Sequence, residues 1–539
     1  MSATFTRAAV FLAALLVAGC GPAARRADLV VLNGAEPESL DPAIITGQPE
    51  GRIVQSLFEG LAARDPDGRV VPGVAERWEV SADGRCYLFH LRADARWSNG
   101  DPVTARDFAA SWRRTLAPET ASEYAYQLFY VRGAEGFNAG REKDFSKVGV
   151  RARDERTLEV ELEDPTPFFL DLCAFPTLMP VHLASVERFG DDWIKPGRLV
   201  SNGAFLLEDW RVNHRVRLMK NPHYWDRANV ALETVDILPT SQANTAFNLY
   251  WSGEADLILD RGLIPSMLLN AVRKRRDFHS APFLGTAFYR FNVTRKPFSD
   301  VRVRKAFALV VDKRRLVEKV TRAGELIADS LVPPGLAGYA SPKGLGYDPA
   351  AARALLAEAG FPGGKGFPEV ALLYNRSEQH EAVATEVQDM LAKELGIRIE
   401  LLQQEWKVYL NSMSALDYDF CRASWVGDYA DPNTFLDMFV TGGGNNRTGW
   451  SNTAYDALLR AAAKERDPSA RMRIFQRAET LLCRDEVPIL PLHYYVGVQF
   501  YDPDRVTGFR ANVLDEHPLK YVRLRRAAAP RQPRSESRP

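Results

Sequence analysis

Three side chains in the last quarter of the chain, Arg422, Trp425 and Asp428, have the types and spacing of a binding site. They follow an aromatic-rich run at 418–420 that predicts a short buried strand, and Gly427 then interrupts regular structure. We therefore expect the three side chains where a strand gives way to a loop. Loops held on a rigid scaffold commonly carry binding groups.

These three residue types match the chemistry of a short amino-acid chain, which has a cation at one end and a carboxylate at the other. Asp428 can pair with the cation, Arg422 can pair with the carboxylate, and Trp425 can form an apolar wall between them. Taken alone, the stretch favours a plainer interpretation, a surface ion pair beside a core tryptophan, because exposed ion pairs are common and weak.

The first nineteen residues, 1–19, have the pattern of a secretory signal. Arg7 precedes an apolar run over 8–18 that is too short to span a bilayer. The run ends in small residues before Cys20, and this resembles the lipobox of bacterial lipoproteins. That resemblance implies cleavage before Cys20 and a membrane anchor with two or more acyl chains. A plain secretory signal with an incidental cysteine is the alternative.

The composition excludes several classes of protein. The chain has 69 Lys and Arg against 69 Asp and Glu, so no global field favours nucleic acid. Beyond Cys20, the cysteines Cys86, Cys173, Cys421 and Cys483 allow three pairings and have neither disulfide-scaffold nor zinc-site spacing. We expect an exported protein of about three domains, without a metal, another cofactor or a nucleic-acid partner.

Strand and helix patterns alternate through the middle of the chain. Alternating apolar residues predict strands at 86–92, 156–162, 215–220, 234–238 and 256–259. Helical spacing is present at 52–61 and 242–251, and Thr104 with Asp107 predicts a capping box at a helix start. A helix over 378–395 between strand patterns at 369–373 and 397–402 indicates a βαβ unit. The pattern is that of an α/β protein.

Several motifs occur in a fixed order from about residue 30 to about residue 526. They are Leu40-Asp41-Pro42, Ala75-x-x-Trp78, Asp83-Gly84, Tyr87-x-Phe89-x-Leu91-Arg92, Trp97-x-x-Gly100-x-Pro102-x-Thr104-Ala105-x-Asp107-Phe108, Glu155-Arg156-Thr157-Leu158, Ser201-Asn202-Gly203-Ala204-Phe205, Asn221-Pro222-x-Tyr224-Trp225 and Phe298-Ser299-Asp300-Val301-Arg302-Val303-Arg304. Together they resemble the signature of the peptide/nickel family (family 5) of extracellular solute-binding proteins, and most closely its oligopeptide-binding members.

The resemblance implies a type II periplasmic-binding-protein-like fold, with two α/β lobes joined by hinge strands and an inserted third domain. Such lobes close around a ligand. The expected segments are lobe I at 28–58, 184–284 and 497–525, the inserted domain at 59–183, lobe II at 285–496, and a disordered tail at 526–539.

The resemblance also assigns ligand contacts. Asp428 matches the carboxylate that takes a peptide's α-ammonium, and Arg422 matches an arginine that can receive the peptide's carboxylate. Trp406 and Trp425 match tryptophans that form the walls of side-chain pockets. A core position is the alternative for Trp406.

Three further positions match residues beside the ligand. Tyr124 and Tyr494 match tyrosines next to the peptide, and His380 matches a histidine that can reach the end of longer peptides. A solvated position is the alternative for His380.

Five positions depart from the family pattern. Thr46 replaces a glutamate near the cleft, Met413 replaces an arginine, and Thr321 replaces a lysine used for another peptide length. Gly285 and Val426 stand where the oligopeptide-binding members have a disulfide. These changes leave the ammonium site intact and put the preferred peptide length in question.

The implied function is a lipid-anchored, monomeric binding protein of the periplasm or cell envelope that delivers oligopeptides to an ABC permease. Within the same fold, murein tripeptide, haem, a nickel chelate or a signalling peptide remain alternative ligands. A secreted hydrolase is the alternative of another class, and the chain has neither G-x-S-x-G nor H-E-x-x-H.

Overall fold

The structure, a computed structural model, describes residues 26–240 and 242–525. The predicted signal segment 1–19, Cys20 and the tail 526–539 lie outside these residues. Within the described ranges, no helix has both the length and the apolar composition needed to cross a membrane.

The strands of the described residues are short, except for two near the middle of the large sheet. In chain order they are β1 (Leu29–Leu32), β2 (Ala62–Arg64), β3 (Val70–Pro72), β4 (Ala75–Val80), β5 (Cys86–Leu91), β6 (Val150–Ala152), β7 (Thr157–Glu161), β8 (Phe205–Arg211), β9 (Arg215–Lys220), β10 (Thr234–Leu238), β11 (Leu257–Ile258), β12 (Phe278–Phe291), β13 (Leu326–Ile327), β14 (Ala371–Asn375), β15 (Glu400–Gln404), β16 (Phe420–Val426), β17 (Ile489–Tyr501), β18 (Val506–Thr507) and β19 (Arg523–Leu524).

The helices are distributed along the whole described chain. The longer ones are Gln48–Leu57, Ala105–Leu116, Leu183–Phe189, Ala243–Ser252, Val301–Val310, Pro349–Glu358, Glu378–Leu395, Trp406–Ser414, Thr453–Lys464 and Pro468–Thr480. Short α-helical segments are Ala134–Asn138, Phe169–Leu172, Leu269–Val272, Lys313–Arg315 and Asn433–Leu436.

One mixed sheet runs through the described molecule in the order β15-β14-β16-β12-β17-β11-β1-β10-β9-β8, and β13 also pairs with β17. The long antiparallel strands β12 and β17 connect two groups of shorter strands. Their register shifts between Pro282 and Thr286, so the ladder is irregular near its middle. A separate sheet, β4-β5-β7-β6, is built from residues 75–161.

The hydrophobic cores lie on the two sides of the bridging strands β12 and β17. One large core combines side chains from the segments 29–62, 74–181 and 193–259. On the other side of the bridging strands, alternate residues of β12 enter two different cores, because successive strand residues point to opposite faces. Tyr289 and Phe291 enter one, and Phe288 enters the other.

The predicted α/β architecture is confirmed, and several elements match their predicted bounds. β9, β10 and the helix Glu378–Leu395 have the predicted ends, and β14 and β15 are parallel. The capping box of Thr104 and Asp107 is present.

The helix predicted at 52–61 instead spans Gln48–Leu57. It stops early because the next backbone groups bond elsewhere. The side-chain oxygen of Asn202 accepts a hydrogen bond from the Glu59 N–H (3.0 Å), and the Asn202 amide donates to the Glu59 carbonyl (2.9 Å). Asn202 is 3% exposed, so both backbone groups depend on it.

Two of the sequence motifs, at 201–205 and 221–225, therefore contact Glu59. Besides the bonds from Asn202, its carboxylate accepts hydrogen bonds from the Tyr224 hydroxyl and the Trp225 indole (2.6 Å), and it pairs with Lys520 at 2.8 Å. This buried cluster joins segments that are far apart in the sequence.

We predict that Asn202→Ala lowers the free energy of unfolding by about 2–4 kcal/mol, because it leaves a buried N–H and a buried carbonyl without partners. Urea unfolding followed by tryptophan fluorescence measures the change. The exposed Asn229→Ala is the control. A loss below about 0.5 kcal/mol for Asn202→Ala, the size of an ordinary surface substitution, would contradict the role of this side chain.

Candidate functional site

The strand that carries the candidate residues is longer than the sequence predicts. β16 spans Phe420–Val426, so Arg422 and Trp425 lie within the strand and Asp428 alone lies beyond its end. The strand continues because β12 pairs with it along its length, whereas β14 pairs with it only near its start. The Gly427 N–H then donates to the Leu284 carbonyl at 2.7 Å, which fixes the position of Asp428.

Asp428 is surrounded by hydroxyl groups rather than by cations. The Tyr126 hydroxyl, 302 residues away in sequence, donates to Asp428 Oδ2 at 3.1 Å. The Asp428 N–H donates to Thr434 Oγ1, also at 3.1 Å. No Lys, Arg or His of the described part pairs with this carboxylate. Burial raises the pKa of Asp428 to about 7, although hydrogen bonds from the Tyr126 and Gln127 side chains oppose the shift.

A second carboxylate, Asp437, lies behind the first and was not identified from the sequence. The Tyr130 hydroxyl donates to Asp437 Oδ2 at 3.4 Å, and the Asn433 amide donates to the same oxygen at 3.0 Å. Burial, together with the charge of Asp428, raises the pKa of Asp437 to about 7. The charge of Asp428 therefore opposes the ionisation of Asp437.

Asp428 opens into a cavity of about 450 Å³, which is large enough for a small organic ligand. Two other acids line it, and both have cationic partners. Asp515 lies 3.5 Å from the Arg52 guanidinium, and Glu516 lies 3.1 Å from that of Arg64. Among the described lining residues, Asp428 is thus the carboxylate without a cation. The lining is Ile45, Thr46, Gly47, Gln48, Gly51, Arg52, Gln55, Tyr124, Phe175, Pro176, Phe283, Val426, Gly427, Asp428, Tyr495, Leu514, Asp515 and Glu516.

Arg422 lines a second, much smaller cavity of about 30 Å³, together with His380 and Tyr495. Burial and the nearby Arg422 charge lower the pKa of His380 to about 4. His380 is therefore neutral at pH 7, and Arg422 supplies the positive charge of this cavity. Arg422 Nη2 donates to the Tyr495 hydroxyl at 3.0 Å.

The other predicted contacts are placed differently. Tyr124 lines the larger cavity, with its ring centroid 5.5 Å from that of Tyr126. Trp425 is half-buried and packs against the core that contains Phe288. Tyr494 is buried and donates its hydroxyl to the Ser330 carbonyl, and it is absent from the lining of both cavities. The side chain of Trp406 lies outside what the structure describes.

Tyr495, rather than its predicted neighbour Tyr494, lines both cavities. Neighbouring strand residues point to opposite faces, so a shift of one position changes the face. Asp437, Tyr126 and Tyr495 were missed because their sequence neighbourhoods carry no distinguishing motif. Two tyrosines in succession were the available signal for Tyr495.

The cysteines and acids of the described part do not form a metal site or a disulfide. Cys86, Cys173, Cys421 and Cys483 are all free thiols, and no group of three or more His, Cys, Asp or Glu side chains in these ranges is arranged to hold a metal ion. Gly285 and Val426, at the positions of the disulfide of oligopeptide-binding members, are direct partners in the β12–β16 pairing.

Comparisons with known proteins agree with this geometry. Residues 69–447 match the family model described as bacterial extracellular solute-binding proteins, family 5, middle region. The chain is 38% identical over 490 residues to the periplasmic oligopeptide-binding protein of Escherichia coli, covering 89% of each chain.

Solved structures show the same relationship. The oligopeptide-binding protein OppAIV of Borrelia burgdorferi has a TM-score of 0.82 at 33% identity, covering 92% of this chain and 99% of that one. The murein tripeptide-binding protein of Escherichia coli has a TM-score of 0.81 at 35% identity, covering 93% and 99%. The fold is that of a periplasmic solute-binding protein. The chain belongs to family 5 of the bacterial extracellular solute-binding proteins.

The two buried acids predict a specific pH dependence of stability. Their pKa values are raised above those of the unfolded chain, so the folded state binds more protons between about pH 4 and pH 7. The free energy of unfolding should therefore fall as pH rises through this window and level off above it. Asp437→Asn should reduce that fall and stabilise the ligand-free protein at pH 8.

Urea unfolding at pH 4.5, 6 and 8 measures this effect, and the exposed Asp191→Asn is the control. A pH profile for Asp437→Asn identical to that of the original chain would contradict the raised pKa of Asp437.

Proposed function

We propose that this protein is a non-catalytic carrier that captures oligopeptides through their free α-amino group and delivers them to an ABC importer. The observation that carries the proposal is Asp428, a carboxylate without a cation at the edge of a cavity. An ammonium group supplies the missing charge through a charge-assisted hydrogen bond. Oligopeptide binding by the relatives named above supports the same ligand class.

The peptide is held at its termini and along its backbone. Its ammonium pairs with Asp428, and in longer ligands its carboxylate reaches Arg422. Between these groups the ligand's main chain lies against the cavity formed by β16 and β17, as in strand addition to a sheet edge. A carrier that fixes the termini tolerates many side-chain sequences, because bridging water can satisfy variable polar groups.

Closure completes the ammonium site. The segments 28–58, 184–284 and 497–525 form one lobe, 59–183 the inserted domain and 285–496 the second lobe, with β12 and β17 as the hinge. Tyr126 comes from the inserted domain and Asp428 from the second lobe. Their hydrogen bond therefore links ligand charge to the closed arrangement.

The chain is exported and anchored to the membrane through lipid on Cys20, and it acts as a monomer in the periplasm or cell envelope. This placement brings a captured peptide to the importer without free diffusion of the carrier.

Murein peptide is the second candidate ligand, because it also presents a free amine and its binding protein in Escherichia coli shares this fold at TM-score 0.81. The mass of the ligand that co-purifies with the protein distinguishes it from a linear oligopeptide.

Asp428→Asn should weaken the binding of trialanine by about 2–5 kcal/mol, because the ligand's buried ammonium loses its charged partner. Isothermal titration calorimetry measures the affinity. N-acetyl-trialanine, which has no ammonium, should bind the original chain and the variant equally weakly, and the exposed Asp191→Asn is the protein control. Unchanged affinity of Asp428→Asn for trialanine would reject the ammonium site.

A further inference from the structure

The linings of the two cavities share one residue, Tyr495, which lies at an irregularity in the hinge strands. Pro282 pairs with Val496 and Thr286 pairs with Tyr494, so three residues of β12 stand opposite Tyr495 alone. Bulges of this kind redirect side chains at the edge of a ladder. Both Phe283 and Tyr495 line the Asp428 cavity as a result.

The backbone of this bulge is fixed on both sides. The Leu284 N–H donates to the Val513 carbonyl at 2.6 Å, and the Leu284 carbonyl accepts from the Gly427 N–H at 2.7 Å. The bulge is therefore tied directly to the residue that precedes Asp428.

The Tyr495 ring lies over a glycine. A Cβ atom on Gly285 would lie 2.7 Å from Tyr495 Cδ2, closer than such atoms approach, so the absence of a side chain at this position creates the space for the ring. The ring of His493, on the same strand, lies 5.6 Å from that of Tyr495.

The Tyr495 hydroxyl is the hydrogen-bond partner of Arg422, the cation of the smaller cavity. It accepts a hydrogen bond from Arg422 Nη2 at 3.0 Å, and Arg422 has no carboxylate partner in the described residues. A carboxylate is a stronger acceptor for a guanidinium than a neutral hydroxyl, because it can take two parallel hydrogen bonds. A ligand carboxylate that reaches Arg422 therefore displaces the tyrosine.

We propose that Tyr495 is a gate between the two cavities, which separates peptides that end within the Asp428 cavity from peptides whose carboxylate reaches Arg422. Short peptides bind with the gate closed. Longer ones replace the Arg422–Tyr495 hydrogen bond with a carboxylate contact. Tyr495 thus sets the length specificity of the site, and this inference rests on the proposed function.

The spacing of Arg422 and Asp428 along the protein chain limits the length of peptide that can contact both. Arg422 and Asp428 are six residues apart on a nearly extended segment, which spans at most about 20 Å. A series of alanine peptides from two to six residues therefore covers the relevant lengths, each prepared as the free acid and as the carboxyl-terminal amide.

Calorimetry with this series tests the gate in the full-length protein and in Tyr495→Phe. The variant should bind free acids that reach Arg422 about five- to tenfold more tightly. In the variant the ligand carboxylate does not have to break a hydrogen bond between Tyr495 and the charged Arg422 before it binds. It should leave the amides and dialanine unchanged. Gly285→Ala, which displaces the ring, should raise the acid-to-amide preference in the same direction, and the exposed Tyr347→Phe is the control.

Equal acid-to-amide ratios in the original chain and Tyr495→Phe, with binding that still depends on Asp428, would overturn the gate alone. Weaker binding of long free acids by Tyr495→Phe would also overturn it, because the hydroxyl would then be a direct ligand of the peptide carboxylate. Absence of binding to any free-amine peptide would overturn the proposed function and the gate together.

Discussion

A carboxylate buried beside a cavity without a cationic partner is the constraint on which this site depends. Transferring an ionised carboxyl group out of water is costly unless charge or hydrogen bonds compensate it. At Asp428 the protein supplies hydrogen bonds from the Tyr126 and Gln127 side chains and no cation, and it places a second acid, Asp437, nearby, so the compensation in the ligand-free state is incomplete. The site is stable with a proton, and a ligand ammonium is the group that we propose for its charged form.

The fold delivers these groups from distant parts of the chain. β16 carries Arg422 and ends two residues before Asp428, the segment around Tyr126 approaches from 302 residues earlier, and β17 contributes Tyr495. The bridging strands β12 and β17 connect the two groups of strands, and their irregular register lies at the cavity. The same strands that join the halves of the molecule therefore shape the space between them.

Local chemistry made much of the fold predictable from the sequence. β9, β10 and the helix Glu378–Leu395 follow their apolar periodicity, and a motif-by-motif resemblance indicated the family. Where tertiary pairing overrides local signals, prediction was less accurate. Pairing with β12 extends β16 to Val426, and the bonds of Asn202 end a helix at Leu57.

The site was predictable only in part for the same reason. Asp428 and Arg422 lie on one segment, so their types and spacing were visible in the sequence, and the structure places them at two cavities that share Tyr495 as a lining residue. Asp437 and Tyr126 act through contacts that only the folded chain creates. Tyr495 replaces Tyr494 at the cavity walls, and a register shift in a bridging strand cannot be read from alternation alone.

The most direct test of the ammonium site is a crystal structure of the protein with trialanine. It should place the ligand's amino nitrogen at about 2.7–2.9 Å from a carboxylate oxygen of Asp428, as for a charged hydrogen bond. A ligand bound in the reverse direction, or one whose amine contacts another acid, would contradict the account.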